Sequence, residues 1–472
     1  MKKVICLVAL MAAVLPATAG INVDRCIGAY NELNGAYVGV CAYTPDGDTL
    51  AFHNAGALFV PASNMKLLTT ASALEYLGDG YRYPTVLAVS GKIEDGVLDG
   101  DVFIRGGGDP TLAYPDSPDT VFASWMEMLR SRGISEIRGR VIGDGESFGG
   151  MNENPHWEIA DAGTYYGTGV TGLQFAGNIL NFNVQAGACP GDSLKIKQAY
   201  PDTPWMNFIY DCTTGSEGTG DRLYLYTVEY SDNAVLRGTF AAGQRQRTVR
   251  CSNKNPEMTC AREFARYLLA RGINVGGFST GRTPEEAVEI GVTLSCPLRD
   301  ILVPLMRESD NFLAETVFRT LGKERFGDSG YESSIRAERM ILDSLGFAPV
   351  AAPVITDGSG LSSTNLVSPE YICRLLGYML QNDGTGTFLE CLPTAGENGT
   401  VADFLTNLPE SARKSVHLKS GTMSGVKCYS GYYLPGNSSP VIFSVMINHA
   451  NASSYRLSKA AADIITSIIS GR

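Results

Sequence analysis

Between residues 37 and 53 the chain alternates. Val38, Val40 and Ala42 stand between Gly39, Cys41 and Tyr43, and Asp46-Gly47 marks a tight turn, so two strands of a hairpin are predicted. The period then changes. Leu67, Leu68, Ala71, Leu74 and Leu77 recur with helical spacing, from an opening near Ser63 to a stop at Gly78. From about residue 84 short apolar runs alternate with Gly/Asp turns, which reads as strands, with helical stretches over 121–131 and 259–271. After about residue 290 the helical period returns, with two helices predicted around Glu308-Ser309-Asp310. Residues 415–448 read as three successive strands. Leu457, Ala461, Ile464, Ile465 and Ile468 then share one side of a final amphipathic helix. Two strands at the start, three at the end and a closing helix predict an α/β (α+β) domain. Its five-stranded antiparallel sheet, flanked by helices, brings the chain ends together around a large β-rich insert.

The first residues place Lys2 and Lys3 before an apolar run of 4–15 and the small-residue triplet Ala17-Thr18-Ala19. This is the layout of a secretory signal over 1–19, and the run is short for a membrane span. An exported protein, periplasmic and at most peripherally associated with a membrane, is expected. The net charge of −11 and the lack of a basic tract argue against nucleic-acid binding. Beyond Cys6 in the leader there are ten cysteines, which export would permit to pair. Cys251 with Cys260, and Cys26 with Cys41, are the candidate pairs, and Cys373 in an apolar stretch is expected to be a buried thiol. Four histidines and no Cys-x-x-Cys argue against a zinc site.

The chain has 36 serines and 12 lysines, and Ser-x-x-Lys occurs three times: Ser63/Lys66, Ser411/Lys414 and Ser424/Lys427. The spacing puts both side chains on one face of a helix. A serine hydroxyl needs a base, and a lysine serves as one only where burial or a nearby cation keeps its amine neutral. No Gly-x-Ser-x-Gly elbow offers a Ser-His-Asp alternative. Only the first pair is followed by Ser309-Asp310-Asn311 and then Lys419-Ser420-Gly421. Lys414 and Lys427 are therefore expected to be solvated surface charges. "GGGDP" (106–110) lacks the lysine of a phosphate loop and is expected to be a structural turn. Asp357 and Ser359 fit either a tight turn or the site itself.

Ser-x-x-Lys, Ser-Asp-Asn and Lys-Ser-Gly in that order resemble the penicillin-binding proteins and serine β-lactamases. Further stretches, "GGGDPTL", "YYGTGVTGL", "DGSGLSSTN" and "LPTAGENGTV", with 243 residues from Lys66 to Ser309, are similar to one branch: low-molecular-mass class C proteins of the PBP4 type, D-alanyl-D-alanine carboxypeptidases and endopeptidases of peptidase family S13. The resemblance implies a transpeptidase-like domain (20–83 and 291–472). Its insert would form two further domains, one over 84–165 plus 250–290 and one over 166–249. It implies Ser63 as nucleophile and Lys66 as its base, with Ser309 relaying a proton to the leaving amine. Asn311 would bind the substrate amide, and Lys419 would hold Lys66 neutral by its charge. Ser420 or Thr422 would bind the substrate carboxylate, and the N–H groups of Ser63 and Thr422, set by Gly421, would form an oxyanion hole. It further implies no metal or organic cofactor, peptidoglycan stem peptides as substrate and covalent capture of β-lactams. A β-lactamase and a catalytically silent peptidoglycan-binding or penicillin-sensing protein are the alternatives. The first would want a Glu-x-Asn element, and Glu32-Leu33-Asn34, expected in an N-terminal helix, precedes Ser63.

Overall fold

The structure is a computed structural model that describes residues 23–229, 231–436 and 438–471. The expected leader over 1–19, with its cleavage triplet and Cys6, lies outside them. The five-stranded sheet runs Val416–Met423, Val426–Tyr433, Val441–Asn448, Tyr37–Tyr43, Thr49–His53, with every neighbouring pair antiparallel. Its centre joins the two ends of the chain, from Tyr37 opposite Asn448 to Tyr43 opposite Ile442. The hairpin turn falls where Asp46-Gly47 predicts it, with Gly47 N–H donating to the Thr44 carbonyl.

One face of the sheet carries the closing helix Ser454–Ser470, whose Leu457, Ala461, Ile464, Ile465 and Ile468 are all buried. The short helix Val23–Gly28 packs beside it. Glu32 sits in a separate 3₁₀ turn, Asn31–Leu33, and its carboxylate meets Arg456 at 2.7 Å. The other face carries the helices Met65–Tyr76, Asn311–Phe326 and Pro369–Asn382 in one apolar core. The first of these is buried all round from Met65 to Ala73, as befits a helix enclosed by others rather than laid on a surface. Ser368 and Ser453 cap their helices through the backbone N–H groups of Tyr371 and Arg456.

The insert holds a seven-stranded sheet built from residues 84–144 and 274–294, with the helices Asp119–Ser131 and Pro256–Leu269 packed in its core. Two three-stranded sheets from residues 179–252 share a second core. "GGGDP" makes a turn: Gly108 has φ of 100°, and the Asp109 carboxylate accepts from Thr111 N–H and Oγ1. The insert is tied to the helix Asn311–Phe326 by the buried Arg319. Its guanidinium donates to the carbonyls of Gly149, Met151, Val170 and Ser329.

All ten described cysteines are free thiols, so neither expected disulfide forms. Cys251 lies in the core between the three-stranded sheets and Cys260 in the core of the helix Pro256–Leu269. Cys26 and Cys41 lie on opposite faces of the five-stranded sheet, Cys26 bonding Ser467 Oγ. Cys373 is a buried thiol, as expected, and donates to the Cys41 carbonyl.

Candidate active site

Ser63 stands in a single 3₁₀ turn, Ala62–Asn64, that leads directly into the helix Met65–Tyr76. Ala62, just before it, has φ of 46°, a left-handed conformation that a non-glycine residue holds only when its surroundings enforce it. Gly360 is part of that surrounding, since a Cβ there would fall 1.9 Å from the Ala62 carbonyl oxygen. One turn on, Lys66 is fully buried while Ser63 is partly open. Lys66 Nζ donates to Ser63 Oγ (3.1 Å), Asn311 Oδ1 (2.6 Å) and the Ser359 carbonyl (2.7 Å). These use the three donors of an ammonium group.

Ser309 also has a left-handed backbone, φ 59°. It sits between the helices Leu298–Arg307 and Asn311–Phe326, and Asp310 caps the second through Leu313 N–H. Asp310 also accepts from Tyr114 Oη of the insert at 2.8 Å. Asn311 is fixed at both ends of its amide, with Oδ1 on Lys66 and Nδ2 donating to the Tyr166 carbonyl.

The third side is the strand Val416–Met423. Lys419, fully buried, donates to Ser309 Oγ (2.8 Å) and to the Ser420 carbonyl. The Ser420 hydroxyl pairs with Thr400 Oγ1 at 2.7 Å. Gly421 lets this strand close on the nucleophile: a Cβ there would lie 2.6 Å from the Pro61 carbonyl oxygen and 3.2 Å from Ser63 N. Thr422 is exposed and accepts from Lys427 Nζ at 2.8 Å. Lys427 is thus not the expected surface charge. It is buried, because the two-residue Ser424-Gly425 turn sets it opposite Thr422 in the hairpin. Lys414 is a surface charge and pairs with Glu410. Ser63 with Lys66 and Asn311, Ser309 with Lys419, and Gly421 beside Ser63 therefore meet in one cleft, and Ser420 and Thr422 flank Gly421 on its strand.

Below the cleft lies an acidic floor of Glu315, which sequence reasoning missed, and Asp357, which it left open. Glu315 accepts from the N–H groups of Gly358 and Ser359, and Asp357 accepts four hydrogen bonds, from Gly360 N, Ser362 N, Asn365 Nδ2 and Trp157 Nε1. "DGSG" is therefore both a turn and part of the site. Helical spacing could have found Glu315, four residues after Asn311 and so on its face of the helix. Burial lowers the Lys66 amine to about 8, against the pull of Asp357, Glu315 and Asp310. Burial, then the charge of Lys66, drives Lys419 well below the usual lysine range. Desolvation is thus the leading cause for both amines, and the mutual repulsion of Lys66 and Lys419 acts in the same direction. Burial raises Glu315 to about 8. Among the described residues, no group of three or more His, Cys, Asp or Glu side chains could hold a metal ion.

Residues 19–468 match the D-Ala-D-Ala carboxypeptidase 3 (S13) family. A D-alanyl-D-alanine carboxypeptidase of Actinomadura sp. (strain R39) is 29% identical over 433 residues, covering 88% of this chain and 78% of the relative. The D-alanyl-D-alanine carboxypeptidase DacB of Haemophilus influenzae is 25% identical over 438 residues, covering 92% and 89%. The crystal structure of penicillin-binding protein 4 (dacB) from Haemophilus influenzae superposes with a TM-score of 0.80 at 24% identity, over 94% of this chain and 99% of that one. A crystal structure of the same protein complexed with a β-lactam superposes at 0.76 and 22% identity, over 94% and 99%. The chain belongs to the D-Ala-D-Ala carboxypeptidase 3 (S13) family and is a serine-type carboxypeptidase, a hydrolase.

Proposed function

We propose that the protein cleaves the D-Ala-D-Ala bond of peptidoglycan stem peptides, and D-Ala cross-links between them, through an acyl-enzyme on Ser63. The observation that carries the reading is the Lys66–Ser63 pair: a fully buried amine, lowered to about 8, 3.1 Å from a partly open hydroxyl. Neutral Lys66 takes the hydroxyl proton as Ser63 Oγ attacks the D-Ala carbonyl. Ser309, held by Lys419, passes its proton to the leaving amine and takes in its place the one Lys66 gained from Ser63, so the C–N bond breaks and Lys66 is neutral again. Water then attacks the ester, releasing the shortened peptide and restoring Ser63. Asn311 orients the substrate amide, Ser420 or Thr422 binds its carboxylate, and the N–H groups of Ser63 and Thr422 stabilise the oxyanion. None of these steps requires a metal or an organic cofactor.

The β-lactam complex of the Haemophilus influenzae relative supports β-lactam binding here, and on this reading the β-lactam acylates Ser63. The leader-like segment over 1–19 supports export and a periplasmic site of action. Digestion of defined muropeptides tests the proposal. Pentapeptide losing its terminal D-Ala, and cross-linked dimer falling to monomers, are expected, while failure to cut either excludes it.

A further inference from the structure

The helix Asn311–Phe326 begins against the insert. Asp310 caps it with one carboxylate oxygen, Oδ1, which accepts from Leu313 N–H, and turns the other, Oδ2, to Tyr114 Oη of the insert at 2.8 Å. Tyr114 is itself held in place. Its ring meets Phe312 edge-on, with centroids 6.1 Å apart, and lies over Gly177, where a Cβ would fall 2.8 Å from the ring. Ala113, just before it, has φ of 58°, a left-handed strain of the kind that gathers at functional sites. The loop is pinned by Ala176 N–H on the Leu112 carbonyl and by Tyr114 N–H on the Thr111 carbonyl. Burial, then the Asp310 carboxylate, holds the Tyr114 hydroxyl above the usual tyrosine range, so it stays a donor.

Ser309 needs support from its surroundings. Its own backbone is left-handed, φ 59°, which a serine holds only under constraint. Lys419 holds its hydroxyl, and Asn311 is held by Lys66 and by the Tyr166 carbonyl. Asp310, between the two, is fixed from the insert. We propose that Tyr114 is a positioning residue for the reaction: by holding Asp310 Oδ2 it locks the Ser309-Asp310-Asn311 turn, so that Ser309 meets the leaving amine and Asn311 meets Lys66. The inference rests on the proposed acyl-enzyme mechanism, which gives Ser309 and Asn311 those tasks. A hydrogen bond to a carboxylate is among the stronger kinds, and a site that works by orientation loses rate when one of its turns shifts slightly. The insert is then part of the reacting apparatus, since it supplies the Tyr114 hydroxyl and the Tyr166 carbonyl to two neighbouring residues of one motif.

The test measures penicillin acylation and pentapeptide turnover by the purified protein, by Tyr114→Phe, by Asp310→Asn and by the double variant. Loss of one hydrogen bond to a charged group predicts that Tyr114→Phe lowers the limiting acylation rate and kcat about 10-fold, with KM changed less than about 2-fold and the thermal midpoint unmoved. Asp310→Asn keeps the Oδ1 cap but lacks the carboxylate. In that background Tyr114→Phe should cost little more, because the two residues act through one bond. Gly177→Ala gives a second route: its methyl group presses the Tyr114 ring off its seat while the hydroxyl remains, so the rate should fall in the same direction. A Tyr114→Phe rate within about 2-fold of wild type overturns the inference, as does an equal loss with and without the Asp310 carboxylate. A lowered thermal midpoint with an unchanged limiting rate overturns it too, because a purely structural residue behaves that way. A wild type that never labels with penicillin overturns the acyl-enzyme mechanism and the inference with it, whereas a labelled wild type whose rate ignores Tyr114→Phe counts against the positioning role alone.

Discussion

Lys66 and Lys419 are both fully buried, and each donates to a different serine: Lys66 Nζ to Ser63 Oγ at 3.1 Å, Lys419 Nζ to Ser309 Oγ at 2.8 Å. Desolvation is the leading cause of the lowered basicity in both. Only the neutral Lys66 amine can accept a proton, so acylation should rise with pH and reach half its maximum near the Lys66 value of about 8. Penicillin acylation rates between about pH 6 and pH 10 check this, and a profile that is flat or falls across that range contradicts it. Lys66→Arg, permanently charged, should lose about 10²–10⁴-fold.

Gly421 is the point where the strand Val416–Met423 meets the nucleophile turn. The Cβ of Gly421→Ala would press on the Pro61 carbonyl and on Ser63 N, so the strand must retreat by a fraction of an ångström. Displacement of that order in a site that works by positioning predicts about a 10²-fold fall in acylation rate. A thermal melt near the wild-type value would show that the fold survives.

Lys427 tests whether the Thr422 hydroxyl matters to binding. Lys427→Ala frees Thr422 Oγ1 and leaves Ser454 Oγ without the same donor. A several-fold rise in KM for pentapeptide with a smaller change in kcat is expected, because a carboxylate contact serves ground state and transition state alike. Steady-state kinetics decide, and an unchanged KM would remove Thr422 from the binding site.

Arg319 joins the insert to the catalytic helix. Arg319→Met would leave four carbonyl acceptors without this donor, three of them on the insert. A loss on the order of 3–5 kcal/mol is expected from such a buried network. Urea unfolding followed by tryptophan fluorescence would report it, since Trp157 of the insert donates to Asp357 at the floor of the site.

Where local pattern decides the structure, the sequence was a good guide. Alternation at Val38, Val40 and Ala42 and the helical period from Leu67 to Leu77 mark the strand and helix that frame Ser63. The five-stranded sheet follows because strands at both chain ends need partners. The order of the three motifs separates Lys66 from Lys414, which proved a surface charge. Lys427 shows where such reasoning stops: its burial comes from cross-strand pairing, although the Ser424-Gly425 turn was a usable signal. The thiols of Cys26 and Cys41 were illegible for a related reason. Closeness along the chain does not tell which face of a sheet a residue takes. Burial was a foreseeable source of the Lys66 shift, but its extent was not legible, since desolvation depends on how completely Glu315, Asp357 and the surrounding helices close over the amine.

The central claim is that Ser63 carries the acyl group. Mass spectrometry of the protein treated with penicillin, followed by peptide mapping, tests it most directly. The account predicts one adduct on Ser63 in the wild type and none in Ser63→Ala of equal thermal stability. An adduct on any other residue, or one that persists in Ser63→Ala, would contradict it.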